Sequence, residues 1–388
     1  MTSLRSGIGT SGLADATAAG RAAATDTIGG LGGERPALVL VYASVSYDLA
    51  SMLAGIREVT GDTPLAGATS SGLFHAGTFT APGNGVAVLA LTAGPYRFGV
   101  SSVTDLSKDP DLAGSTLARA ARDAAGPERL GHAAILLLTD GLAGDQQTLL
   151  NGIYRVAGAA VPIAGGAAGD DRLLKGTFVF DGGRVLGDAA AAVWVDADHP
   201  LKVIAHHGWE PVGVPLMVTK VDGTVVQELA GRPALEVFEE QLRLELGENL
   251  RPINERGYDS AHALGLIEPD GTRLIRAVVI GDDRIVRTFT PIPLYAAVQI
   301  VFGRSKNVLD VGDLTVKEAL AAGDASLLLG FSCVARMDLL GERSSEEARR
   351  LQDAAGSVPT FGFYTYGEFA RTTSVAGYHN ATIAAIAL

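Results

Sequence analysis

Cys333 stands three residues before Arg336 and lies just past an apolar run. A guanidinium at that spacing is able to lower a thiol pKa and make a nucleophile, a redox sensor or a metal ligand. Cysteine is also among the most buried residue types, and the balance here favours an inert thiol. His206-His207 lies beside Trp209, and His379-Asn380 precedes the last apolar run. Neutral imidazole ligates metals and haem iron, so His379, His207 and Cys333 are the axial ligands to consider if haem binds. No two histidines have i,i+4 spacing and there is no Cys-x-x-Cys-His, so a structural role is the default and no metal is expected. Ala68-Thr69-Ser70-Ser71-Gly72 is close to a nucleophile elbow, and Ser70, Asp140 and His379 follow the Ser–Asp–His order of α/β-hydrolases. An elbow leads into a helix, and no helical pattern follows Gly72. A Ser- or Cys-dependent enzyme is therefore kept only as an alternative. Asp170-Asp171 and Glu346-Glu347 offer too few oxygens for a hard metal, and no glycine-rich loop runs into Lys-Ser/Thr.

These residues sit on a recurring unit. Ala37–Ala43, Ala133–Thr139 and Ser326–Phe331 read as buried strands, and Tyr47–Val59, Gln146–Val156 and Ser344–Ala355 as the helices that follow them. A Pro-initiated, glycine-rich loop comes next each time, at Pro64–Gly72, Pro162–Gly169 and Pro359–Gly367. Val86–Leu91, Ala189–Val195 and Ala381–Leu388 close the units as strands. The expected fold is α/β, with mixed, partly parallel sheets built from three repeated β-α-β-loop-β units. Residues 1–34 read as an Ala-rich helix, Leu13–Ile28, and a Gly29–Gly33 linker. Residues 35–225 and 226–388 read as two halves. The second holds a β-rich insertion with a helix over Pro233–Leu246, and a hairpin signal at Asp222-Gly223 lies at the junction of the halves.

Parallel sheets bind ligands beyond the carboxyl ends of their strands. The residues after those ends are small or polar: Ser70, Ser71, Gly72, Gly165, Gly166, Cys333, Arg336, Tyr364, Tyr366 and Glu368. With His379 and Asn380 they are the expected ligand-binding set. Arg336 would hold a carboxylate, Glu368 an ammonium, and Tyr364 and Tyr366 would wall the site. On this reading Arg336→Ala costs affinity and leaves the fold intact.

The chain has 388 residues, 49 of them Gly, and a formal net charge of −12. That charge argues against a nucleic-acid surface. One cysteine excludes an intramolecular disulfide framework. No apolar stretch is long enough to span a membrane and no signal peptide is legible, so a cytoplasmic location is expected.

The motifs together resemble one family. Phe331–Arg336, Leu340-Gly341, Gly362–Glu368 and His379–Thr382 are similar to the C-terminal half of FIST-domain proteins, and Leu229–Phe238 to its start. Ala66–Gly72 and Ile163–Asp170 resemble the N-terminal half. The resemblance runs over residues 35–388. It implies an intracellular sensory module that binds a small ligand such as an amino acid and passes its signal to a separate partner, for example a histidine kinase. Some relatives are haem-binding nitric-oxide sensors, so haem enters as the alternative to a cofactor-free protein. The family's N-terminal loop often carries Cys and Glu where this chain has Ala68 and Leu73. Cys333 and Tyr364–Glu368 fit its pattern.

Overall fold

The structure, a computed structural model, describes residues 3–246, 258–321, 323–371 and 377–388. It is a mixed α/β fold of three repeats and an inserted sheet. The first repeat runs β1 (Ser6–Ser11), α1 (Ala16–Gly29), β2 (Leu38–Ala43), α2 (Leu49–Thr60), β3 (Leu65–Thr69), the hairpin β4 (Leu73–His75) and β5 (Thr78–Thr80), and β6 (Val86–Leu91). The second repeats this order as β7 (Tyr96–Thr104), α3 (Pro110–Ala124), β8 (His132–Thr139), α4 (Gln146–Ala157), β9 (Ile163–Ala167), the hairpin β10 (Val179–Asp181) and β11 (Arg184–Leu186), and β12 (Ala189–Ala197).

The third repeat opens with β13 (Val203–His206). The insertion follows: β14 (Trp209–Asp222), β15 (Val225–Leu229), β16 (Arg232–Pro233), α5 (Ala234–Leu246), β17 (Tyr258–Ile267), β18 (Arg273–Ile280), β19 (Val286–Thr288) and β20 (Ala297–Gly303). The repeat then resumes with α6 (Ser305–Leu320), β21 (Leu328–Cys333), α7 (Val334–Leu340), α8 (Ser344–Ala355), β22 (Thr360–Thr365), the hairpin β23 (Gly367–Arg371) and β24 (Tyr378–His379), and β25 (Ile383–Ala387).

Each repeat builds a sheet on one parallel pair: β2–β3, β8–β9 or β21–β22. The hairpins are exchanged. The first sheet is completed by β10–β11 of the second repeat, the second by β23–β24 of the third, and the third by β4–β5 of the first. Every exposed edge beside a parallel pair is thus covered by a neighbour's strands. The inner faces of the three sheets share one core, with Leu40, Tyr42 and Leu89 against Leu136, Leu138, Phe331, Phe361 and Phe363. Paired helices cover the outer faces.

The exchange is pinned where the three Pro loops meet. The residue seven after each proline donates its N–H to the carbonyl of the residue five after another repeat's proline. Ser71 donates to Tyr364, Gly169 to Thr69 and Tyr366 to Ala167, each at 3.0 Å. The bonds close into a ring. Packing at the ring is tight: a Cβ on Gly169 would overlap the Ser71 hydroxyl and lie 2.8 Å from its backbone nitrogen.

The helix read over Leu13–Ile28 is α1, and the segment before it, β1, is the edge strand of the first sheet. Asp15 caps α1 by accepting from the Ala18 N–H, and β1 pairs with β6 along its whole length. The strand is illegible because Gly7 and Gly9 interrupt it. Both glycines are needed, since a Cβ at either would run into the Thr27 or Ala23 carbonyl of α1. The outer strands β7 and β13 and the helix α3 also went unread. Among the described residues, no helix is long and apolar enough to cross a membrane.

Gly169→Ala is expected to destabilise the protein by about 1–3 kcal/mol, because the ring has no room for a methyl group. Gly183→Ala, where nothing lies within 4 Å of the added Cβ, is expected to be near neutral. Urea denaturation of both variants measures the difference.

Candidate functional site

The residues expected to bind a ligand fall into three places. The first is the buried face of the third sheet. Arg336 and Glu347 are 0% and 1% exposed, and the guanidinium Nη2 and Nε donate to Glu347 Oε1 at 2.5 and 3.0 Å. Nη2 also donates to the Val308 carbonyl at 2.8 Å, and Nη1 to the His207 carbonyl at 3.3 Å. The Tyr364 hydroxyl donates to the other Glu347 oxygen at 2.7 Å, and Ser332 to the same oxygen at 3.3 Å. Arg336 therefore meets its carboxylate inside the protein. Burial and Glu347 push the Tyr364 phenol well above its usual range. Removing Arg336 would leave Glu347 buried and unpaired, at a cost of about 3–5 kcal/mol. The expectation that Arg336→Ala spares the fold is corrected accordingly.

The second place is the ring. Ser70 is buried and donates to the Ala43 carbonyl at 3.3 Å, and Ser71 is fully buried. Gly72 has φ +126° and faces the Tyr364 ring, and a Cβ on Gly166 would overlap Thr365. Gly165 and Gly166 pair with Phe369 and Glu368 across β9 and β23. These small residues make room for neighbouring repeats. The Ser–Asp–His order has no geometry behind it. Asp140 accepts from Thr177 and the Leu142 and Asp188 N–H groups, and His379 Nε2 donates to the Ala370 carbonyl.

Glu368 lies just beneath, fully buried. It accepts from the Thr365 hydroxyl, from the Thr382 N–H at 3.2 Å and from the Cys333 thiol. Burial overcomes these bonds and raises its carboxyl to about 8. A protonated carboxyl has no charge for an ammonium. Burial and then Glu368 push the Cys333 thiol well above its usual range, so the nearby Arg336 does not make it a thiolate.

The third place is open. A cavity of 310 Å³ lies past the carboxyl ends of β8, β21 and β22. Cys333, Tyr366 and Asn380 line it, with Tyr378, Gly141 and Val334. Arg172 and Leu174 enter from the loop after β9, and Ala277, Val279 and Phe289 from the inserted sheet. Leu142, Leu174 and Phe289 are each about half exposed at this cavity. The loop is held by Asp170, which accepts from the Tyr366 hydroxyl and from the Leu174, Lys175 and Gly176 N–H groups. Burial opposes ionisation of Asp170, yet these bonds keep its carboxyl below the usual range. Arg172 pairs with Asp338 of α7, bridging the second and third repeats. Asp171, Arg172 and Leu174 all have positive φ. The sequence reading missed Arg172, Leu174, Ala277, Val279 and Phe289, because nothing local places the inserted sheet against this loop.

Glu368 generates a pH prediction. Its folded carboxyl binds a proton up to about 8 while the unfolded one releases it near the usual value. Its contribution to stability is complete in acid and falls as pH rises from about 4.5 to about 8. Urea denaturation at pH 5, 6.5 and 8 is expected to show wild type losing stability relative to Glu368→Gln as pH rises.

The FIST N domain matches residues 37–232 and the FIST C domain residues 234–371. An uncharacterized protein of Mycobacterium tuberculosis is 25% identical over 405 residues, covering 97% of each chain. An uncharacterized protein of Methanocaldococcus jannaschii is 37% identical over 82 residues, which cover 21% of this chain and 16% of that one. The crystal structure of a cyanuric acid hydrolase from A. caulinodans aligns over 99% of both chains, with a TM-score of 0.38 and 9% identity. With its N and C domains matched in order over nearly all of residues 37–371, the chain belongs to the FIST family, whose domains are regarded as sensory modules that bind small ligands.

Proposed function

We propose that the protein senses a small molecule in the 310 Å³ cavity between its FIST N and FIST C parts. One observation carries this reading. The cavity lies beyond the carboxyl ends of the parallel strands and takes its walls from both parts. Its volume suits a ligand the size of an amino acid. Leu142, Leu174, Val279 and Phe289 would take the apolar body, and Arg172 and Asn380 the polar head. A ligand touching Arg172 and Cys333 together would favour one arrangement of the loop and α7. A separate partner, such as a histidine kinase, would read that state.

Haem fits less well. His207 and His379 line the wider cavity beside β13 and α6, and burial lowers both to about 4, leaving them neutral, but His207 Nδ1 accepts from the Trp209 N–H and His379 Nε2 donates to the Ala370 carbonyl. The walls around them carry Lys202, Glu210, Asp270, Arg273, Asp310 and Glu318. A porphyrin face would desolvate these charges without pairing them. Cys333, the third candidate, is a protonated thiol bonded to Glu368.

A thermal-shift screen with free amino acids tests the proposal. A ligand at a hundred times its dissociation constant adds about 2.7 kcal/mol, visible as a raised midpoint. Ala277→Trp fills the cavity and is expected to abolish the shift. A shift that survives Ala277→Trp, or no shift with any amino acid, would overturn the amino-acid reading. Haemin is expected to give no Soret band.

A further inference from the structure

A wider cavity of 810 Å³ is built from different residues. His379 lines it, while its neighbours Tyr378 and Asn380 line the smaller one, and the two share no residue. Its walls come from β13 and the following turn, the start of β18, and the exposed side of α6.

Its charges are unevenly matched. Three of its four acids are already paired with cationic or imidazole side chains: Glu210 with Arg304 at 2.6 Å, Glu318 with His206 at 3.0 Å, and Asp310 with Lys306 and Arg350 at 2.5 and 3.0 Å. The fourth, Asp270, accepts the N–H and hydroxyl of Thr272 within its own turn. The two cations are different. Arg273 donates from Nη2 and Nε to the amide oxygen of Gln299 at 2.8 and 3.3 Å. The Gln299 amide nitrogen is itself anchored on the Gly213 carbonyl at 2.8 Å. The guanidinium is thus held in place by a neutral group and, among the described residues, meets no carboxylate within ion-pair distance. Lys202 likewise has no acidic partner there.

His207 completes the set. Its Nδ1 accepts from the Trp209 N–H at 3.0 Å, which leaves the proton of the neutral ring on Nε2. Burial first, and then neighbouring His379, His206, Arg336 and Arg273, lower its pKa, so the ring is neutral and its Nε2–H is a donor. Ile204, Trp209, Leu274 and Val311 add an apolar wall.

We propose that this cavity is a second ligand site, for a small organic anion whose carboxylate or phosphate is held by Arg273, Lys202 and the Nε2–H of His207. A fixed guanidinium fork with a neutral anchor suits either oxyanion. The site stands apart from the amino-acid cavity, and each can fail without the other.

The test is calorimetric titration of the full chain with succinate and with inorganic phosphate, against sodium chloride at matched ionic strength to remove general screening. At least one of the two is expected to bind beyond the chloride control, and the one that binds names the class. Arg273→Gln is expected to weaken that binding about tenfold or more, the loss of a charge-assisted bond. Lys202→Gln, at an exposed position, is expected to weaken it in the same direction and decides the matter if Arg273→Gln does not fold. Ala277→Trp in the other cavity is expected to leave it unchanged. No binding of either anion beyond chloride, or wild-type binding by the folded Arg273 and Lys202 variants, would overturn the proposal. Loss of binding in Ala277→Trp alone would move the anion to the smaller cavity.

Discussion

Three backbone hydrogen bonds, from Ser71 to Tyr364, Gly169 to Thr69 and Tyr366 to Ala167, hold the arrangement on which the rest of the molecule depends. They join loops far apart in sequence at equivalent positions after Pro64, Pro162 and Pro359. Once the ring closes, each loop emerges over a neighbouring repeat's sheet, and its hairpin has only that sheet's edge to pair with. The crossing also explains the composition there. Buried backbone must be hydrogen-bonded, and bulky side chains at the ring would hold the loops apart. Ser71, Ala168 and Gly169 satisfy both demands.

Closing the ring uses up the centre. Side chains that look made for a ligand are turned to internal work. Arg336, Glu347, Tyr364 and Ser332 form one buried polar network between α7, α8 and the third sheet. Glu368, Thr365, Cys333 and the Thr382 N–H form a second. Such networks are costly when incomplete and rigid when satisfied. The second gives the smaller cavity a firm floor, since Cys333, which lines it, is held by Glu368 beneath.

The insertion breaks the three-fold pattern and creates the open space. Its sheet docks on the third repeat through Trp209, Ala263, Ile275 and Val301 against Val308, Leu309, Ala335 and Leu340. That docking leaves one cavity toward the second repeat and another toward β13 and α6. The short segment Tyr378–Asn380 divides them, with alternate residues facing each side.

Local patterns were enough for much of the fold. The apolar run Val86–Leu91 and the helix Ser344–Ala355 were read with their observed ends, and the three Pro-led loops marked the repeats. The order of FIST motifs was legible for the same reason, since motif residues lie close together along the chain. The glycine strand β1 was not, because its residues answer to the helix packed on it rather than to strand propensity. Two questions only the tertiary structure decided. One was pairing: a hairpin's own sequence does not say which sheet edge it will complete. The other was whether a polar side chain faces a ligand or a partner. Arg336 beside a strand end reads the same in either case. Its carboxylate comes from Glu347, eleven residues on, and only packing brings the two together in a site that excludes water.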